Sequence, residues 1–215
     1  YKKVTFIDFY KSNFFIRTKQ AKVAIFTTPC QIKNLSLRLK QSLVNDMKYT
    51  SYSYPSGRAE VAAFVVTGGV TEYHVMIHAT DPKQTYREQM NVVLDAYAAL
   101  LKKELSGAVA VFKRYFLSDA ANQAELLLAA TAESSDCALS VVEQPPLDGT
   151  KIALWAYLQT DVQTRVLPNG LYEVKHGVYR QLWMGGSFNR AANSEYQMRL
   201  LLNDYAMQLM ERSEE

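Results

Sequence analysis

The pattern of apolar and polar positions changes several times in the first quarter of the chain. Alternating segments rich in Val, Ile, Phe, Thr and Tyr predict β-strands at residues 3–10 and 21–28, a β-hairpin extension at the amino terminus. Residues 31–47 fit both helical and alternating spacing, and we favour a helix because of the segment's length. Three tyrosines, a proline and a glycine predict a loop at residues 49–57.

A regular series of elements follows between residues 59 and 158. The predicted strands are 59–66, 72–80, 108–117, 137–142 and 152–158, and the predicted helices are 85–105 and 120–132. The order β-β-α-β-α-β-β predicts an α+β fold, with one mixed sheet and both helices on one face. The opposite face would then carry exposed apolar residues, and self-association into an oligomer would cover it.

The first predicted helix is the best defined element. Thr85 and Glu88 have the spacing of a capping box at its start, and Ser106-Gly107 ends it. Its apolar stripe should be buried and consists of Met90, Val93, Leu94, Tyr97, Leu101 and Leu105.

A pattern within this helix occurs again near the end of the chain. Gln89, Met90, Leu94, Asp95, Tyr97, Ala98 and Leu101 match Gln197, Met198, Leu202, Asn203, Tyr205, Ala206 and Leu209. Each pair is 108 residues apart (197 − 89 = 108), which is an ordinary domain size. We therefore expect two tandem copies, the first at residues 1–158 and a partial second copy at 159–215, which ends inside its domain.

The second copy has a linker at 159–170, then predicted strands at Leu171–Lys175 and Tyr179–Met184. A helix should start at Ser194, with Gln197 completing a capping box. Because the strands that should follow are missing, this half-domain is expected not to bury its apolar stripe alone. We expect it to dock on the first copy or on a neighbouring chain.

Composition narrows the function classes. The 24 basic and 21 acidic residues give a net charge of +3 and are mostly interspersed, so nucleic-acid binding is disfavoured. Two cysteines are too few for a disulfide framework and predict a reducing, cytoplasmic environment. No apolar run approaches the roughly 20 residues of a membrane helix.

Candidate metal and cofactor chemistry is weak. His74 and His78 share one strand face but would lie about 13 Å apart, at ~3.3 Å per residue, which is too far for one metal ion. A glycine-rich phosphate loop, a Gly-x-Ser-x-Gly elbow and a His-Glu-x-x-His motif are all absent from the sequence. We expect no metal and no cofactor.

Two segments of the repeated unit resemble the Rid superfamily, also called YjgF or RidA. The first is the helix pattern Gln-x-x-x-x-Leu-[Asp/Asn]-x-x-x-x-x-Leu, followed by the strand Val109–Asp119. The second is Gly170-Leu171-Tyr172 with Leu182–Gly186, which resembles the family's Gly-Pro-Tyr entry and its strand ending in Ser-Gly. The tandem arrangement looks most like the branch that includes the chorismatases.

The resemblance implies a chorismate-mutase-like fold, trimers, and ligand pockets between subunits. It also implies an arginine on the fourth strand that holds a substrate carboxylate, and a glutamate on the last strand that positions water. In the first copy these positions fall on Cys137 or Ala138 and on Ile152 or Ala153, so this copy lacks both groups. The second copy keeps only the front of a pocket. The candidate ligand-binding residues are Tyr172, Gly185 and Gly186, with Arg180 and Arg190 as the nearest anion-binding candidates.

The sequence therefore predicts a Rid-like protein that binds a small carboxylate at a domain or subunit interface, with a non-catalytic first domain. One alternative is a working enzyme, either a chorismatase-like hydrolase or an imine or enamine deaminase. A second alternative is RNA binding or cleavage of the endoribonuclease L-PSP type, which the weak basic bias alone favours. We expect a homotrimer, or a pseudo-trimer within the chain, and no membrane partner.

Overall fold

The computed structural model describes residues 16–17, 46–65, 69–132, 137–177, 179–188 and 193–211. Its described elements are β1 (Ile16–Arg17), β2 (Asp46–Tyr54), β3 (Gly57–Val65), β4 (Glu72–Ala79), α1 (Tyr86–Lys103), β5 (Val109–Leu117), α2 (Ala120–Thr131), β6 (Ala138–Glu143), β7 (Ile152–Gln159), β8 (Gln163–Val166), β9 (Tyr172–His176), β10 (Tyr179–Trp183) and α3 (Ser194–Glu211). The strands at 3–10 and 21–28, most of the helix at 31–47, and Arg190 lie outside the described residues. The structure confirms the α+β class.

The main sheet has six strands in the order β2-β3-β4-β7-β5-β6. Its strand pairs are antiparallel except for β5 and β6, which are parallel and joined through α2. The predicted order β-β-α-β-α-β-β and the single mixed sheet are therefore confirmed, with each strand within about two residues of its predicted bounds.

The loop predicted at residues 49–57 is wrong. Asp46–Tyr54 forms β2, a nine-residue edge strand whose partner is β3. Pro55 and Ser56 make a two-residue turn, with Ser56 at a positive φ of 57°. Tyr52 and Tyr54 pack against the core from one side of the strand, while Tyr49 on the other side stays exposed. The tyrosines are therefore the alternating side chains of a half-buried strand.

Helices α1 and α2 both cover one face of the main sheet, which we call the helix face. The Thr85–Glu88 capping box is present, with Glu88 Oε2 accepting a hydrogen bond from the Thr85 amide at 2.8 Å. The buried stripe of α1 is rotated slightly from its predicted position, because Leu100 is fully buried whereas Leu94 and Leu101 are half-buried. Leu127 from α2 joins the same core cluster.

A β-bulge interrupts β5 between Ala110 and Phe112. Because the bulge adds one residue, Val111 and Phe112 both face away from the helices, and the alternation after them is reversed. Lys113 consequently lies on the helix face, 5% exposed, with Nζ 5.3 Å from the centroid of the Tyr97 ring. Arg114 lies on the opposite face, which we call the far face.

The far face is partly covered by a second, smaller sheet with the order β1-β10-β9-β8. Val174 and Trp183 of this sheet form one apolar cluster with Phe112 and Tyr157 of the main sheet. The Trp183 ring lies 5.6 Å from each of those two rings. Sequence reasoning assigned this cover to self-association. In the structure, a later segment of the same chain covers the part formed by β5, β6 and β7.

Helix α3 packs on the other side of the small sheet. Tyr205 is buried against Leu167 and Leu171, and its hydroxyl donates a hydrogen bond to the Leu182 carbonyl at 3.2 Å. Tyr205 is the one buried residue of the predicted stripe, since Met198, Leu201, Leu202 and Leu209 are only half-buried. The small sheet contacts the main sheet through Val174 and Trp183, which is one of the two expected modes of docking. The helix cap is Asn193 rather than Ser194, since Asn193 Oδ1 accepts a hydrogen bond from the Tyr196 amide at 2.8 Å.

The two helices that carry the repeated pattern have matching bounds. Helix α3 begins 108 residues after α1 (194 − 86 = 108) and ends 108 residues after it (211 − 103 = 108). Each follows an antiparallel pair of strands. The tandem duplication and the division at residue 158 remain predictions.

Candidate ligand-binding cleft

The part of the far face that the small sheet leaves open contains a cleft of about 470 Å³. Its lining comes from four adjacent strands of the main sheet, β2, β3, β4 and β7. The lining residues are Tyr49, Thr50, Ser51, Glu60, Val61, Ala62, His74, Val75, Met76 and Trp155. The size is in the range of small-molecule pockets, and most of the lining is apolar or aromatic.

Strand register fixes which side chains are neighbours in the cleft. One row crosses the sheet through Tyr49, Ala62 and His74, and the next row through Ser51, Glu60 and Met76. Trp155 continues the second row on β7. The small side chain of Ala62 therefore lies between two larger rings in this row.

His74 belongs to a group of aromatic rings at one wall of the cleft. Its ring stacks on Trp155 at a centroid distance of 5.8 Å and on Tyr157 at 5.0 Å. Burial lowers the pKa of His74 from its usual value of 6.5, and the nearby Glu72 carboxylate opposes that shift only in part. His74 is therefore a neutral imidazole at pH 7, which can either donate or accept a hydrogen bond.

Glu60 is the acidic group of the cleft lining. Its Oε1 atom forms an ion pair with Arg58 Nη2 at 2.8 Å, and both side chains are about half exposed. Arg58 and Glu60 are two residues apart on β3, so they share the far face. Among the described residues, the second carboxylate oxygen of Glu60 has no hydrogen-bond partner.

Arg114 is the basic group nearest to the aromatic wall. It pairs directly with Trp155 across β5 and β7, and its guanidinium carbon lies 5.7 Å from the Phe112 ring centroid. Burial lowers the pKa of Arg114, but an arginine remains charged at all physiological pH values. The bulge that directs Arg114 to the far face has no simple sequence signal.

The positions that correspond to the family's catalytic pair are apolar and buried. Cys137 and Ala138 are 3% and 0% exposed, and Ile152 and Ala153 are 0% and 1% exposed. None of these side chains could hold an anion or activate water, as the sequence indicated.

The described candidate ligand-binding residues near the end of the chain do not converge on one pocket. Tyr172 packs into the apolar cluster between the two sheets. Arg180 lies on the opposite face of the small sheet, where the buried Glu173 carboxylate accepts contacts from Arg165 Nε at 2.6 Å and Arg180 Nη1 at 3.7 Å. Arg190 is outside the described residues. Ligand binding by these residues remains a prediction.

Gly185 and Gly186 lie where the chain passes the edge strand β6. A Cβ atom on Gly185 would lie 2.5 Å from both the amide nitrogen and the carbonyl oxygen of Leu139, and Gly186 has a positive φ of 71°. Strand β5 separates β6 from β7, the nearest cleft strand. The structure thus gives these glycines a packing role in backbone contact.

His78 belongs to a separate polar cluster at the end of β4. Its Nδ1 atom lies 3.2 Å from Asp148 Oδ2, and Asp148 Oδ1 accepts hydrogen bonds from the Thr150 amide and hydroxyl at 3.0 and 2.6 Å. Burial alone would raise the pKa of Asp148, but the Thr150 hydrogen bonds and His78 outweigh it and lower that pKa. This cluster fixes the turn before β7.

In the described part of the chain, no group of three His, Cys, Asp or Glu side chains is arranged to hold a metal ion. Among the described helices, none combines the length and the apolar composition that a membrane span requires.

Comparison with known proteins yields no match to a family model, a curated protein or a solved structure.

Proposed function

We propose that this chain is a small-molecule-binding module of the Rid type, with a non-catalytic first domain that provides the cleft. The observation that carries the proposal is the 470 Å³ cleft on the open part of the sheet, with an aromatic wall and a few polar groups. Among the described residues, the small sheet covers one part of the far face and leaves the cleft uncovered. The cleft can therefore serve as a recess for a ligand.

The buried apolar residues at the two catalytic positions support a binding role over an enzymatic one. There is no arginine at Cys137 or Ala138 to bind a substrate carboxylate. There is also no glutamate at Ile152 or Ala153 to position a water molecule for attack. The carboxylate ligand expected from the resemblance would instead need Arg114, which lies next to Trp155 on the far face. The trimer belongs to the same proposal, because the open far face is also where a neighbouring subunit would close the cleft.

The test is protein-observed NMR with a fragment library that includes pyruvate and benzoate. We expect saturable amide shift changes in the cleft segments 49–51, 60–62 and 74–76 and at Trp155. A library that perturbs none of these amides at millimolar concentration would contradict a binding function for the cleft.

The enzymatic alternative is tested separately with the same protein. We expect no ammonia from dehydrated serine and no pyruvate from chorismate at high protein concentration. Release of either product that is abolished by Arg114→Gln, but not by Arg87→Gln on exposed α1 surface, would replace the binding proposal with a catalytic one.

A further inference from the structure

The row Tyr49–Ala62–His74 has the spacing of a slot for one flat ring. Adjacent strands lie about 4.8 Å apart, so a ring placed above Ala62 would have its centre ~4.8 Å from each flanking ring row. Favourable aromatic pairs have centroid separations of roughly 4.5–7 Å. A planar ligand could therefore stack against Tyr49 on β2 and His74 on β4 at the same time.

The two walls of the slot, His74 and Tyr49, differ in their packing. His74 stacks on Trp155 and Tyr157, whose ring planes differ from its own by 15° and 27°. Tyr49 is 76% exposed on the edge strand, and its hydroxyl donates a hydrogen bond to Met47 Sδ at 2.6 Å. One fixed wall and one adjustable wall allow a ring to enter from solvent and then be covered.

Glu60 determines the polarity of the slot. It lies next to Ala62 on the same face of β3, and Arg58 binds one of its oxygens. Glu60 lines the cleft and its side chain is half exposed, so a ligand N–H group can reach the other oxygen. The neutral imidazole of His74 adds no charge, and Arg114 lies three strands away from β3 on β5. Since Arg58 pairs with one oxygen of Glu60, the second oxygen is the acceptor that the slot offers to a ligand.

We infer that the slot binds a planar aromatic ring bearing an amine or amidine group, stacked between Tyr49 and His74 and hydrogen-bonded to Glu60. This inference rests on the proposed function, in that the cleft must bind small molecules, and it assigns the ligand a basic or donor substituent where the family resemblance expects a carboxylate. The assignment follows from the second carboxylate oxygen of Glu60, an acceptor next to Ala62 that has no hydrogen-bond partner among the described residues.

The probes are benzamidine, its neutral analogue benzamide, and benzoate, titrated by calorimetry into the full chain. We expect benzamidine to bind at least about tenfold more tightly than benzamide, since a charge-assisted hydrogen bond replaces a neutral one. Glu60→Gln should remove that difference, while Glu125→Gln on the exposed surface of α2 should leave it intact. Ala62→Leu should abolish binding of both probes, with its melting temperature checking that the fold is retained.

Three outcomes would overturn the inference. Benzamidine affinity unchanged in Glu60→Gln would rule out the anchor, and affinity unchanged in Ala62→Leu would rule out the slot. Benzoate binding that exceeds benzamidine binding would return the ligand class to carboxylates and leave the proposed function standing. If fragments shift cleft amides but none of the three probes binds, the ring slot fails and the cleft does not.

Discussion

At the residue scale, single side chains and single missing side chains fix the close contacts of this fold. Gly185 shows this best, because its lack of a Cβ allows the end of β10 to lie directly on the Leu139 backbone. Asp148 shows the polar counterpart, since one carboxylate satisfies Thr150 and contacts His78 at the turn before β7.

Substitution Gly185→Ala should lower the free energy of unfolding by about 1–3 kcal/mol, because the added methyl group forces the two backbones apart. Urea denaturation measures the change. Gly170→Ala is the matched control, since Gly170 has a positive φ of 81° but open space around it, and it reports the conformational cost alone. A smaller loss for Gly185→Ala than for Gly170→Ala would mean that the contact with Leu139 is not maintained in solution.

Substitution Asp148→Asn tests the lowered pKa of that carboxyl. Because the folded state binds the proton less tightly than the unfolded chain, ionised Asp148 stabilises the fold above its usual pKa of 3.8. This contribution is lost as the pH falls through the lowered folded pKa. Since Asp148 is partly exposed, we expect Asp148→Asn to cost no more than about 1 kcal/mol at pH 7.

The gap between Asp148→Asn and the parent protein should narrow as the pH falls below 3.8, as measured by urea denaturation at several pH values. Asp95→Asn, on the exposed side of α1, serves as the control. A gap that stays constant to pH 3 would show that Asp148 acts through its shape rather than its charge.

At the element scale, the two long helices have similar lengths and different degrees of integration. Helix α1 lies on the largest core of the protein, whereas α3 rests on the small sheet through Tyr205 and a few half-buried neighbours. Removal of the N-terminal cap should therefore lower the global free energy of unfolding more for α1 than for α3.

Substitution Thr85→Ala should lower the global free energy of unfolding by about 1 kcal/mol, because it removes the capping box of α1. Asn193→Ala removes the cap of α3 and should mainly increase amide exchange in residues 194–197, with a global change below about 0.5 kcal/mol. Urea denaturation and hydrogen exchange measure the two effects. Equal global losses would show that α3 unfolds together with the main domain.

Most elements were predictable from sequence where the pattern is local. The capping box and the 3.6-residue period identified α1, and the alternation in 72–80 identified β4 with its buried Val75 and Ile77. Strand β2 was missed because only one of its two faces packs against the core, and because its Tyr, Ser and Thr residues precede a turn. A polar edge strand and a loop have nearly the same local composition.

At the scale of the whole molecule, the two sheets form one structure through a shared apolar cluster. Trp183 is 7% exposed and contacts both Phe112 and Tyr157, so it is the central residue of that contact. This arrangement was not predictable, because it depends on which face of a later strand meets an earlier sheet. The cleft could not be predicted because its lining needs β2, which the sequence pattern assigned to a loop, and Trp155 of β7, which is distant in sequence from the other lining residues.

Substitution Trp183→Ala should lower the free energy of unfolding by about 3–5 kcal/mol, the usual cost of removing a buried tryptophan. It should also raise amide exchange in β9 and β10, because the small sheet loses its anchor. Denaturation and exchange mass spectrometry measure both effects, and Leu147→Ala at a fully exposed site is the control. Unchanged exchange in β9 and β10 would show that the small sheet is held by other contacts.

The bulge in β5 has a consequence for the distribution of charge across the molecule. In an uninterrupted strand that starts from Ala110, Lys113 would lie on the far face and Arg114 would lie on the helix face, in the apolar core. The one extra residue exchanges these positions. The flexible ammonium group of Lys113 therefore lies beneath the helices, and the rigid, planar guanidinium group of Arg114 lies on the far face. A homologue or designed variant without this single insertion would keep the same Lys-Arg pair, but each side chain would lie on the opposite face of the sheet.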